Sequence, residues 1–306
     1  MYINMIEDVY IKEHLNDLEN NEIEVIDDYK MKIPKSLPQG FFSLLAVGSS
    51  GSGKTNATIN LIEKLKPYYN VYILISPTGC IDIERGKRGE KKYNKLKIKF
   101  DEEYQDYHHG LIREIIFRQK QRLINFEDWL KYKKIYEKAI EYLKNNQEED
   151  AIYGFKDVEF ILKYDFCKPN DKKVFKHQIP PTCMLIIDDM GSTPIYSNGS
   201  SLGELIGLQM KNRHYKMSVF NLLQAYKLCP RSIRLNSRVM MLFPCKSKKM
   251  ILEFADTCNG QYTPEEFLKL YDYATMDKPY DFLYIDCNEE GFRKNFNKKL
   301  DINKII

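Results

Sequence analysis

The chain has 306 residues, 43% of them hydrophobic and 29% charged, with a formal net charge of +4. That is the composition of a globular protein long enough to bury a core without disulfide or metal staples, as one large domain or two small ones. No apolar run nears the roughly 20 residues of a membrane helix, and the acidic N-terminus MYINMIEDVY does not read as a signal peptide. Seven scattered cysteines without metal-ligand spacing point to free thiols in a reducing compartment. The charge is uneven. Residues 1–40 hold nine acids and four bases, whereas residues 211–250 hold ten Lys or Arg and no acid, a face suited to a polyanion or simply to water.

In chain order, residues 1–40 read as an acidic, loosely structured arm, leaving 41–306 as the main domain. Phe41–Val47 is a buried strand, Asn56–Leu65 a helix and Val71–Ser76 a second buried strand. Strand, glycine loop, helix and strand make a βαβ unit and hence a parallel sheet. Residues of about 80–178 form a largely helical insertion between the second strand and a later acidic strand. Within it, Lys95–Phe100 alternates like a short strand. His109–Asn146 is helical, broken near Asn125, and its stripe of Trp129, Tyr132, Tyr136 and Ile140 suits core packing. Cys183–Ile187 is the next buried strand, Leu202–Lys211 a helix and Val219–Leu223 a further strand. KPYDFLYID (278–286) supplies a late strand, and FRKNFNKKL (292–300) a basic tail. The fold class is therefore α/β, a mostly parallel sheet flanked by helices.

The stretch AVGSSGSGKT (46–55) meets the pattern G-x-x-x-x-G-K-[ST] in full, between a strand and a helix. Gly48, Ser49, Ser50, Gly51, Ser52 and Gly53 let successive backbone N–H groups converge on one concavity at the positive end of a helix. Lys54 places a point charge on the β- and γ-phosphates of a nucleoside triphosphate. The Thr55 hydroxyl suits Mg²⁺.

Such a loop serves kinases, GTPases and motors alike; CMLIIDDMG (183–191) narrows the choice. An apolar strand ends in two carboxylates, with Asp188 placed to hold the Mg²⁺ shell and Asp189 to polarise an attacking water. No N-K-x-D guanine signature follows. ATP is thus the expected nucleotide. In ATPases of this type one strand inserts between the loop strand and the acidic strand. Val219–Leu223 fills that place, and Gln224 at its tip becomes a γ-phosphate sensor. Arg213 precedes that strand and could serve a neighbouring subunit's site. Arg231, Arg234 and Arg238 share one face if their segment is helical, free to grip DNA, touch a neighbour or read nucleotide.

Taken in order, GSSGSGKT, LIIDDM, RHYKMSVFNLLQAY and CPRSIRLNSRVMMLF resemble the poxvirus-type genome-packaging ATPases of nucleocytoplasmic large DNA viruses and virophages, within the FtsK–HerA superfamily of P-loop ATPases. The resemblance covers residues of roughly 40–300 and is weakest across 80–178. It implies a P-loop NTPase fold, with Lys54 and Thr55 in the nucleotide loop. Asp188 and Asp189 stand where many relatives have Asp-Glu. Gln224 matches the sensor and Arg213 the arginine finger. It further implies ATP and Mg²⁺ as cofactors and translocation of double-stranded DNA into a preformed capsid by a ring of five or six subunits. Capsid or portal-vertex partners, no membrane insertion, and a location in the host cytoplasm at the viral factory or in the virion complete the expectation. The rival is another nucleic-acid translocase or helicase on the same core.

Overall fold

A computed structural model describes residues 31–77, 93, 98–127, 180–197, 199–255, 257, 262–288 and 291–304. The compact unit that carries the sheet runs from Met31 to Ile306. The helical stripe from Trp129 onward lies outside the described residues.

Nine strands form one sheet: β1 (Ser43–Val47), β2 (Val71–Ile75), β3 (Glu102–Tyr104), β4 (Cys183–Asp188), β5 (Met217–Leu223), β6 (Val239–Leu242), β7 (Leu283–Asp286), β8 (Gly291–Lys294) and β9 (Lys298–Lys299). Their spatial order is β3-β2-β4-β5-β1-β6-β7-β8-β9. The six from β3 to β6 run parallel, and β7 to β9 are antiparallel. Nearly continuous apolar runs such as SLLAV, VYILI and CMLIID are buried at every position, the signature of a parallel sheet covered on both faces.

Alternation along each strand divides the core. One face carries Leu45, Val47, Ile73, Leu185, Ile187, Val219 and Leu242. It packs against Leu111, Ile112 and Ile115 of a helix over 111–127, Leu205 and Leu208 of Gly199–Met210, and Phe267, Leu270 and Ala274 of Pro264–Thr275. The other face carries Leu44, Ala46, Ile186, Phe220 and Leu222, all fully buried. Helix α1 (Lys54–Leu65) brings Leu61, Ile62 and Leu65, which do not join the first cluster. Both sheet edges are blunted. At one, β3 has three residues and two acids; at the other, β9 is a pair of exposed lysines.

Several sequence expectations need correction. The strand expected at Lys95–Phe100 is not formed by 98–100; the edge strand is Glu102–Tyr104, where Glu102 is held by Arg118 and Arg122. The helix is continuous over 111–127, with Gln121 Nε2 donating to Asn125 Oδ1 one turn on, so the break expected near Asn125 does not fall within the described residues. The arginine segment is helical only over Arg231–Leu235, so Arg238 does not share that face. Chain reversal at Asn236 and Ser237 frees Val239–Leu242 to become β6, and Arg238 pairs with the buried Asp286 at 3.0 Å. The basic tail is a hairpin, turning at Asn295 with φ +56. Its Lys294 is engaged by Asp281 and Asp277.

Candidate nucleotide-binding site

The glycine loop springs from the C-terminal end of β1, where Gly48 N donates to Leu223 O of β5 at 3.2 Å. Gly51 and Gly53 take φ of +75 and +91, which an L side chain adopts only under strain. Gly48 is required for a different reason: a Cβ there would stand 2.5 Å from Phe243 Cβ and 2.8 Å from Ser52 Oγ. Helix α1 then begins at Lys54 with no side-chain cap and no acid in its first turn. Its leading N–H groups thus present uncompensated positive character toward the loop. Lys54 is 7% exposed, and its Nζ donates to Gly48 O at 2.6 Å and Ser49 O at 2.8 Å.

Sheet register brings the second half of the site alongside. Asp188 is level with Leu222 of β5, and Leu222 is level with Ala46 of β1. Asp188 therefore lies two strand spacings from the loop strand, about 10 Å. A cavity of ≈ 380 Å³ joins them, lined by Ser50, Gly51, Ser52, Gly53, Lys54, Thr55, Asn56, Asp188, Gln224 and Tyr280. Gln224 enters it because β5 lies between β1 and β4, which puts its tip over the gap. Asp188 is 3% exposed and accepts from Tyr93 Oη at 2.8 Å. Asp189 is half-buried, holds φ +63, and is not among the residues lining the cavity. Asp and Asn are the non-glycine residues that tolerate this turn.

Arg213 stands elsewhere. It is exposed and lines a second cavity of ≈ 530 Å³ with Phe42, Ser43, Gln209, His214 and Arg238. That cavity opens at the start of β1, so the strand, about 13 Å long, separates Arg213 from its own chain's loop. Arg234 is buried against Glu253 and Phe254. Of the arginines proposed for the basic face, Arg213 and Arg231 remain exposed.

The donor set suits a magnesium–triphosphate. Thr55 and Asp188 offer hard oxygen ligands in one cavity, Lys54 offers a cation, and Ser52 Oγ is buried without a partner inside the loop. Among the described residues no group of three or more His, Cys, Asp or Glu forms a metal cage. Mg²⁺ takes few protein ligands and shares its shell with substrate phosphates, so the two oxygen donors in this cavity suit it. The four described cysteines are free thiols, and burial pushes that of Cys229 up to about 12, so it stays neutral and unreactive at pH 7.

Three residues of the site escaped the sequence reading. Tyr93 lies in the charged insertion, Phe243 just past β6, a strand that was not anticipated, and Tyr280 on the turn before β7. No local pattern marks them, because each reaches the loop or Asp188 across long stretches of chain.

No protein-family model matches the chain, and no curated protein matches it. Among solved structures, it is similar to the genome packaging NTPase B204 from Sulfolobus turreted icosahedral virus 2 in complex with AMP, at 12% identity and a TM-score of 0.45, covering 83% of this chain and 96% of that one. The DNA-packaging ATPase B204 from Sulfolobus turreted icosahedral virus is similar at 12% identity and a TM-score of 0.46, over 83% and 96%. The pCW3 conjugation coupling protein TcpA with ATPγS is similar at 12% identity and a TM-score of 0.42, over 87% and 64%. At these values the roles of Lys54, Asp188 and Gln224 rest on their own geometry.

Proposed function

We propose that this chain is an ATP hydrolase working as a motor that drives double-stranded DNA into a preformed capsid. The observation that carries the hydrolase reading is the single cavity shared by Lys54, Thr55, Asp188 and Gln224. The loop N–H groups and the uncapped start of α1 bind the triphosphate. Lys54 Nζ exchanges the carbonyls of Gly48 and Ser49 for phosphate oxygens. Thr55 and Asp188 would hold Mg²⁺, which when bound neutralises charge on the β- and γ-phosphate oxygens. Asp189, at a left-handed turn next to Asp188 and outside the cavity lining, polarises the attacking water once its carboxylate turns inward. Gln224 senses the γ-phosphate. Arg213, at the opposite end of the sheet, serves the site of a neighbouring subunit in a ring of five or six.

The DNA reading draws on the motif order and on charge. Of the ten bases in 211–250, seven are exposed: Lys211, Arg213, Lys227, Arg231, Lys246, Lys248 and Lys249. Such a surface grips phosphates without reading bases and weakens with salt. The packaging role carries with it capsid or portal-vertex partners and a place in the host cytoplasm, at the viral factory, or in the virion. The test is ATP hydrolysis with and without double-stranded DNA. Stimulation by DNA that Lys54→Ala abolishes is the expected result; equal rates with and without DNA count against a motor. Displacement of one strand from a duplex would favour the helicase alternative.

A further inference from the structure

We propose that Tyr280 is the platform on which the nucleoside end of the ligand stacks, an inference that rests on the nucleotide-site reading above. Tyr280 is 64% exposed, an unusual state for a tyrosine whose ring lies against a phosphate-type loop. A Cβ built on Gly53 would stand 3.2 Å from Tyr280 Cδ1 and 3.6 Å from Cγ, so bare backbone at Gly53 is what lets the ring approach. The ring thus rests on the last glycine of the loop while most of its surface stays open.

Strand order gives the site a polarity. Across the sheet the order is β4, β5, β1, β6, β7. Asp188 and Gln224 come from β4 and β5, on one side of the loop, and Tyr280 from the turn into β7, on the other. A triphosphate whose γ end meets Asp188 and Gln224 must run its nucleoside out toward Tyr280. Both ends line the same cavity.

The turn that presents Tyr280 is braced. Pro279 precedes it, and Asp281 N donates to Lys278 O at 3.0 Å. The Asp281 carboxylate accepts from Asn295 Nδ2 at 2.9 Å and pairs with Lys294 at 3.1 Å. Phe282 N donates to Asn295 Oδ1 at 3.1 Å, and the Phe282 ring packs on Phe243 at 4.8 Å. Phe243 is the residue against which Gly48 is wedged. The loop's first glycine and its last are therefore tied to one turn, and the backbone that presents Tyr280 is held in place. A flat π-face reads any base by stacking, so the ring serves adenine and guanine alike.

The test is calorimetry on the full chain with Mg²⁺, using a non-hydrolysable β,γ-imido ATP analogue and inorganic tripolyphosphate. Tyr280→Ala should weaken the ATP analogue about tenfold, in line with stacking on other aromatic platforms, and change tripolyphosphate less than about twofold. Tyr280→Phe and Tyr280→Trp should bind both as the parent does. Unchanged affinity for the analogue in Tyr280→Ala, or equal losses for both ligands, would overturn the proposal, since the ring would then act on the loop and not on the nucleoside. If the parent binds neither ligand, or Lys54→Ala weakens neither, the nucleotide-site reading itself fails and takes this proposal with it.

Discussion

Replacing Gly48 by alanine tests how the loop is seated. The new methyl would fall 2.5 Å from Phe243 Cβ, against an ordinary contact that begins at 3.4 Å, so about 0.9 Å must be found. The Ser52 hydroxyl, 2.8 Å away, can rotate aside. Phe243 Cβ cannot. Its residue is fully buried, its N–H donates to Val47 O at 2.9 Å, and its ring packs on Phe282. Overpacking of this kind costs about 1–3 kcal/mol. The loss of unfolded-state entropy returns about 0.4–1 kcal/mol, leaving a net destabilisation centred on about 1.3 kcal/mol and at most about 2.6. Urea unfolding reads that term. Calorimetry with the non-hydrolysable ATP analogue reads the second consequence: the loop N–H groups shift by a fraction of an ångström to an ångström, and affinity falls at least about tenfold, because misplaced hydrogen bonds to a charged group are worth about 1.5–3 kcal/mol. Gly51→Ala is the control. It meets no atom within 4 Å, so its cost is backbone strain alone, about 1–2 kcal/mol. Shortening Phe243 to alanine should not rescue Gly48→Ala, because the nearest atom is the Cβ that alanine keeps. Parent-like stability and affinity in Gly48→Ala, or rescue by Phe243→Ala, would refute this account of the loop.

Two further predictions concern the sheet that carries the site. Glu102 is half-buried on the edge strand; burial works to raise its pKa, but hydrogen bonds from Tyr104 and from Arg122 and Arg118 outweigh it and hold the carboxyl below its usual 4.5. A depressed carboxylate adds stability above its unfolded value and loses it as pH falls through the folded one. Stability should therefore fall as pH drops below about 4.5, the loss softened by screening at the half-exposed Arg118. Glu102→Gln should lack that part of the acid-induced loss in urea titrations run across this range; an identical acid profile would exclude the linkage. Asp286→Ala takes the carboxylate from the half-buried Arg238 guanidinium, which keeps the carbonyl of Gln39, and should cost about 1.5–3 kcal/mol in unfolding free energy. A loss under about 1 kcal/mol would show that Arg238 finds water or another acid.

Much of the sheet was legible because its signals are local. The runs SLLAV, VYILI, CMLIID and MSVFNLL are apolar at most positions and buried at all of them, and only a strand covered on both faces needs that. The glycine-rich loop announces itself by its own spacing. Its two positive-φ residues, Gly51 and Gly53, are glycines for the reason the pattern suggests. One local signal went unread. In TPEE (263–266) the Thr263 hydroxyl accepts from Glu266 N while Glu266 caps Thr263 N, a box that starts the helix Pro264–Thr275.

Sequence by itself thus determined the βαβ core, the phosphate-type loop and the acid-tipped strand, since each depends on residues within a few positions of one another. Tertiary structure alone decided what stands around that loop. It wedged Phe243 against Gly48, laid Tyr280 on Gly53 and turned Tyr93 onto Asp188. It also engaged Arg238 and Lys294 with Asp286, Asp277 and Asp281, while leaving Arg213 exposed at the other end of β1. These neighbours lie tens to hundreds of residues apart. Strand order, not periodicity, brings them together, and strand order is settled by which faces bury one another when the whole chain packs.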